Sequence, residues 1–221
     1  MRTMNGKPRT LILLAIAATA ALVSTPTGCS QPPTSEDRGV ARSPASTALH
    51  EAMDKLWMEH VAWTRLVIVS TAASLPDLDA TTARLLQNQT DIGGAIKPYY
   101  GDAAGQELTR LLRSHITGAA EVLAAAKAKD TPRLDTAKKA WYANADTIAD
   151  FLNKANADHW PAADVRSMMR DHLDLTLAEA VAQLEGRYAD SVGQYDRVET
   201  QILQMADMLS DGIVAQFPKK F

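Results

Sequence analysis

Met53-Asp-Lys-Leu56-Trp57-Met-Glu-His60-Val61-Ala-Trp-Thr64-Arg-Leu-Val67-Ile68-Val-Ser-Thr71 decides the fold class. Its apolar residues return at intervals of three and four, which puts Met53, Leu56, Trp57, Val61, Val67 and Ile68 on one face of a helix. Pro76 ends the pattern, and the same period resumes after Asp77 with Leu78, Leu85, Ile92 and Ile96 until Pro98. A third helix is expected from Asp102, with Leu108, Leu111, Leu112, Ile116, Val122 and Leu123 on its stripe. Asp130-Thr131-Pro132 reads as a stop and restart, with Thr131 as N-cap and Pro132 in the first turn of a helix bearing Leu134, Trp141, Ile148 and Leu152. Pro161 opens a fifth helix, and Asp190 or Ser191 a sixth that ends before Pro218. No alternating strand pattern of useful length occurs. The expectation is an all-α up-and-down bundle of about six helices.

A short internal repeat accompanies the helices. Tyr100-Gly-Asp102-Ala-Ala-Gly105-Gln106 returns as Tyr188-Ala-Asp190-Ser-Val-Gly193-Gln194. It raises the expectation of two pseudo-repeated three-helix halves, although Asp102 and Asp190 also suit helix first turns for electrostatic reasons alone.

Upstream of the bundle, Met1–Arg9 holds Arg2, Lys7 and Arg9 without an acid, and Thr10–Val23 is almost wholly apolar. That is a charged segment followed by an apolar run too short for a spanning helix, the layout of an export signal. Cys29, the only cysteine, stands just after it. A lone thiol in an exported chain is open to oxidation, so its placement points to lipid attachment. The segment ending Gly28-Cys29 resembles a bacterial lipoprotein signal, with Pro26 where that family usually has leucine. The resemblance implies a signal peptide over 1–28, removed to leave Cys29 lipidated (palmitate among its acyl groups) at the outer face of the cell membrane. Cleavage into a secreted protein is the alternative. Residues 29–47, with Pro32, Pro33 and Pro44 among small polar residues, read as a flexible tether, and 48–221 as the bundle domain.

Bulk properties narrow the function. A net charge of −3 and a pI of 5.9 give no overall attraction to nucleic acid. Neither Ser70 nor Ser114 lies in a Gly-x-Ser-x-Gly setting, and there is no phosphate-binding loop. No catalytic constellation is legible, which favours a non-enzymatic reading.

What stands out is polarity on the apolar stripes. His60, His115 and His172 fall at helical spacing among buried-type residues, as do Asn88 and Asn144. Buried polar groups cost about 1–3 kcal/mol each unless paired, so a run of them implies a network. Three converging imidazoles with Asp91 would also suit a divalent metal such as zinc, copper or iron, with Glu59, Asn88, Asn144 and Met168 around them. The other reading is a structural hydrogen-bond network that sets helix register. His50 and His159 are expected in solvent. Gly93-Gly94 inside a helix costs about 1 kcal/mol per glycine, which a close helix approach beside Asp91 would explain.

Leu56-Trp-x-Glu-His-Val-x-Trp-Thr-Arg65, Asn88-Gln-x-Asp-Ile-Gly-x-Ala-Ile-Lys-Pro-Tyr-Tyr-Gly101 and Asn144-Ala-Asp146 are similar to a family of small bacterial secreted or membrane-attached helical proteins. The likeness covers about residues 50–217 and implies a helical, extracytoplasmic domain without implying an activity. Taken together, the expectation is a membrane-anchored lipoprotein with a non-catalytic binding or scaffold domain and an envelope protein as candidate partner. The alternative is a metal-binding bundle.

Overall fold

The structure is a computed structural model that describes residues 42–221. The signal segment 1–28, Cys29 and the tether up to residue 41 lie outside the described residues. Six helices follow one another: α1 (Pro44–Ala73), α2 (Leu78–Tyr100), α3 (Asp102–Ala128), α4 (Thr131–Ala155), α5 (Ala162–Leu184) and α6 (Tyr188–Gln216), then a 3-10 turn at Pro218–Lys220. No strand occurs among the described residues, and no helix there is long and apolar enough to cross a membrane.

Local chemistry sets the boundaries. Ser43 Oγ accepts from Ser46 N–H, and Pro44 takes the first helical position, where its missing N–H is not needed. The Pro44 expected in the tether is therefore a helix starter, and α1 already buries Ser46. At the other break the cap is Asp130, whose carboxylate accepts from Arg133 N–H, so Thr131 is the first helical residue and not the cap. Pro98 does not end α2. It occupies the last turn, where the helix runs on to Tyr100 and closes on Gly101 at φ 84°.

Each helix packs against its neighbours in sequence, and α6 closes the ring on α1. The odd-numbered helices α1, α3 and α5 also touch one another across the middle. The result is three antiparallel hairpins, α1–α2, α3–α4 and α5–α6, with the odd helices inward. At Gly93 α2 and α3 approach too closely for a side chain: a Cβ there would lie 2.5 Å from Gly105 O and 2.0 Å from Thr109 Oγ1. Gly94 faces open space.

One end of the bundle is sealed by aromatics. Trp160, between α4 and α5, is buried, donates its indole N–H to Met208 O at 3.3 Å and lies directly on Gly212. Tyr100 lies against Trp160, Phe217 meets both Tyr100 and Tyr99, Phe221 stacks on Tyr99, and Lys220 Nζ donates to Pro98 O at 2.6 Å.

Candidate functional site

The three stripe histidines come from the three inner helices and are almost fully buried, each 3–4% exposed. Each is met by an amide from its own hairpin partner. His115 Nδ1 lies 2.9 Å from Asn144 Oδ1, and His172 Nδ1 lies 3.1 Å from Gln201 Oε1. An amide oxygen accepts only, so both imidazoles donate from Nδ1. His60 Nδ1 meets Gln89 Nε2 at 3.2 Å instead. In all three pairs the partners are 29 residues apart.

The likeness extends further. Asn88, Asn144 and Gln201 donate their amide hydrogens to Leu56 O, Leu111 O and Met168 O, each the carbonyl four residues before the histidine of that hairpin. Met53, Leu108 and Val165, seven residues before each histidine, are buried, as are Ile92, Ile148 and Met205, four after each amide. A period of 55 to 57 residues, one hairpin long, thus runs through the bundle. Under it α3 corresponds to α1 and α5. The Tyr100–Gln106 segment runs from the outer α2 into the inner α3, whereas Tyr188–Gln194 opens the outer α6, and the two are not related by this period.

The first pair is the weakest. Gln89 Nε2 also reaches Leu85 O at 2.8 Å and Asn88 Oδ1 at 3.0 Å, so two hydrogens face three acceptors. Its Oε1 is buried without a partner. His60 receives the longest of those contacts.

Burial holds all three imidazoles neutral. Loss of water pushes His115 and His172 down to about 4, and His60 well below its ordinary value. Mutual repulsion adds to this at His60, which faces both other rings, and at His115, which faces His172. The Gln201 and Asn144 hydrogen bonds oppose the shift and do not reverse it.

Neutral imidazoles suit a metal, and the structure allows that reading to be tested. Among the described residues no group of three or more His, Cys, Asp or Glu is placed to hold a metal ion. Asp91 stays out of the histidine layer: it accepts from Gln87 at 2.9 Å and lies 3.8 Å from Arg84. Glu59 pairs with the same arginine at 2.8 Å and with Lys55 at 4.0 Å. Met168 contributes its carbonyl, not its sulfur, to the Gln201 bond. Asn88 and Asn144 are spent on backbone carbonyls and, for Asn144, on His115. Among the described residues these donors are committed to hydrogen bonds and ion pairs, an arrangement that suits the hydrogen-bond network.

Three features were not legible in advance. His50, expected in solvent, is 3% exposed, with Nδ1 2.8 Å from Ser46 O and Nε2 2.8 Å from Asp211 Oδ1. Gln201 completes the third pair; its place between Val198 and Met205 on the α6 stripe was the available signal. Glu179 is buried at 1% exposure and pairs with Arg65 at 2.7 Å, while Arg65 also lies over the Tyr195 ring. Burial raises the Glu179 carboxyl to about 7 against the pull of Arg65.

Beyond the histidine layer, toward the ends of α1, α3 and α5, lies an apolar cavity with about 50 Å³ of free space. Its lining includes Thr64, Ala119 and Thr176, each four residues after a histidine. Comparison of the chain with protein-family models, with curated proteins and with solved structures finds no match.

Proposed function

We propose that the chain is an extracytoplasmic lipoprotein, anchored to the membrane through lipidated Cys29, whose bundle is a non-catalytic binding or scaffold domain. The observation that supports the domain reading best is how the polar interior is used. Each stripe histidine is tied to an amide of its own hairpin, so these residues fix the register of three helix pairs and none is left as a reactive pair in a cleft. Such a rigid bundle offers a cavity and helix faces to a ligand or an envelope partner. Support for the anchor comes from the export-type segment before Cys29 and from the absence of a second cysteine to pair with it.

Metabolic labelling with an alkynyl palmitate, followed by membrane fractionation, tests the anchor. The wild-type protein should carry label and sediment with membranes. Cys29→Ala should lose both and appear in the soluble extracytoplasmic fraction. Membrane association that survives Cys29→Ala overturns the reading, and an unlabelled, soluble wild-type protein establishes secretion instead.

A further inference from the structure

The cavity lies where the third hairpin departs from the other two. Eight residues after the histidine, α1 and α3 carry Ile68 and Leu123, whereas α5 carries Ala180; these three side chains pack together. One residue earlier, Val67 and Val122 correspond to Glu179. Two bulky aliphatics and one methyl cannot fill a site that three bulky aliphatics would, and free space remains. Its inner wall is the buried Leu85, Ile116 and Leu123, and half-buried Leu177, Val181 and Leu184 of α5 border it together with the exposed Ala120 of α3.

Two lining residues have unsatisfied polar atoms. Thr176 is 6% exposed and Trp141 3% exposed, and neither Thr176 Oγ1 nor Trp141 Nε1 has a hydrogen-bond partner. Buried polar atoms are nearly always paired, and an indole N–H can only donate. Thr64, at the position matching Thr176, donates instead to His60 O at 2.8 Å. No charged side chain lines the cavity. We infer that this cavity is a binding site for a slim neutral molecule, an alkyl chain bearing one acceptor oxygen such as a ketone or ester carbonyl, held by Thr176 and Trp141.

Size agrees with a chain rather than a ring. A cavity of ~150 Å³ holds benzene, and water takes up ~30 Å³ of liquid, so about 50 Å³ takes two or three heavy atoms. The rest of the molecule would leave past Ala120 and Val181. A carboxylate or ammonium head would have to sit outside, because the lining offers no countercharge. The inference rests on reading the domain as a binding module and names its ligand class.

The test uses purified full-length protein with ¹⁵N-labelled tryptophan, the Trp141 indole signal being identified by its loss in Trp141→Phe. The probes are 2-pentanone and n-pentane. The ketone should shift the Trp141 signal saturably and bind about fivefold more tightly than pentane, the factor expected of one hydrogen bond. Thr176→Val should remove that advantage and leave pentane unchanged, and Ala180→Leu should abolish binding of both. Where Ala180→Leu does not unfold cooperatively, Ala120→Leu takes its place. No saturable shift, equal affinity for the two probes, or full binding by a folded Ala180→Leu protein overturns the assignment. Palmitate labelling of the wild-type protein is read in parallel: label retained without probe binding removes the cavity assignment alone, and probe binding without label removes the anchor alone.

Discussion

His60 and His172, brought in by different hairpins, lie 5.7 Å apart from ring centre to ring centre, and both are buried. With His115 they form a neutral layer across the middle of the bundle. That layer makes the fold sensitive to acid in a way no surface histidine would.

The sign follows from the direction of the shifts. His115 and His172 titrate near 4 in the folded chain and near 6.5 when unfolded. Between those values the unfolded chain binds the extra protons, so stability is full above about pH 6.5 and falls as the pH drops toward 4. Each of these two imidazoles accounts for roughly 3 kcal/mol over that window, and His60 acts in the same direction. Glu179, raised from 4.5 to about 7, works the other way, losing stability as pH rises through that range. Three imidazoles outweigh one carboxyl. Urea midpoints should therefore fall steadily from pH 7 to pH 4.5, and a flat profile would contradict neutral burial of the histidines.

Arg65→Met should show the opposite dependence. It strips the partner from a carboxylate that is 1% exposed, a loss of about 3–5 kcal/mol while that carboxylate stays ionised. Glu179 takes up its proton near pH 7, so by pH 5.5 it is neutral and the penalty should shrink. Chemical denaturation of this variant at pH 8 and pH 5.5 would show it, and an equal loss at both would mean that Glu179 is not the cause.

Glycine substitutions separate close contact from helix propensity. Gly212→Ala places a Cβ 2.0 Å from Trp160 Nε1 and should cost about 1–3 kcal/mol by displacing the indole. Gly93→Ala should behave alike, against Thr109 and the Gly105 carbonyl. Gly94→Ala meets nothing within 4 Å and should stabilise the chain by up to about 1 kcal/mol. Thermal midpoints of the three variants rank them, and a stabilised Gly93→Ala would show that α2 and α3 are not in contact there.

Zinc, copper and iron titrations should leave the thermal midpoint unchanged, since the described histidines and carboxylates are not grouped to hold an ion. Asn144→Leu should cost about 1–3 kcal/mol by orphaning the buried His115 N–H. A metal-dependent rise in midpoint that His60→Ala and His172→Ala both abolish would restore the metal reading.

Sequence period carried most of the fold, because the helix stripes are long and prolines punctuate them. It misplaced the start of α1, since Pro44 in a Ser/Thr-rich context looks like linker until Ser43 is seen capping it. The stripe histidines were legible for the same reason as the helices, through spacing within one element. Their partners were not. A pair such as His172 and Gln201 joins two helices, and its register depends on the Glu185–Arg187 turn that folds α6 back on α5. Gln201 also belongs to a residue type that usually faces water. Asp91 and Glu59 were drawn toward the histidines by proximity in sequence, whereas Arg84 holds both on the flank of the α1–α2 hairpin.

The ring closure of α6 on α1 bears on the order in which the chain can fold. Every hairpin contact is local, so each pair of helices can form as soon as it is made. The α1–α6 seam is different: His50 meets Asp211, 161 positions further along the chain. Until the last helix arrives, the first presents an uncovered apolar flank, including Met53, which lines the same cavity as Met205 and Leu209 of α6. The segment synthesised first is the one completed last, and in the meantime that flank must be kept from other surfaces.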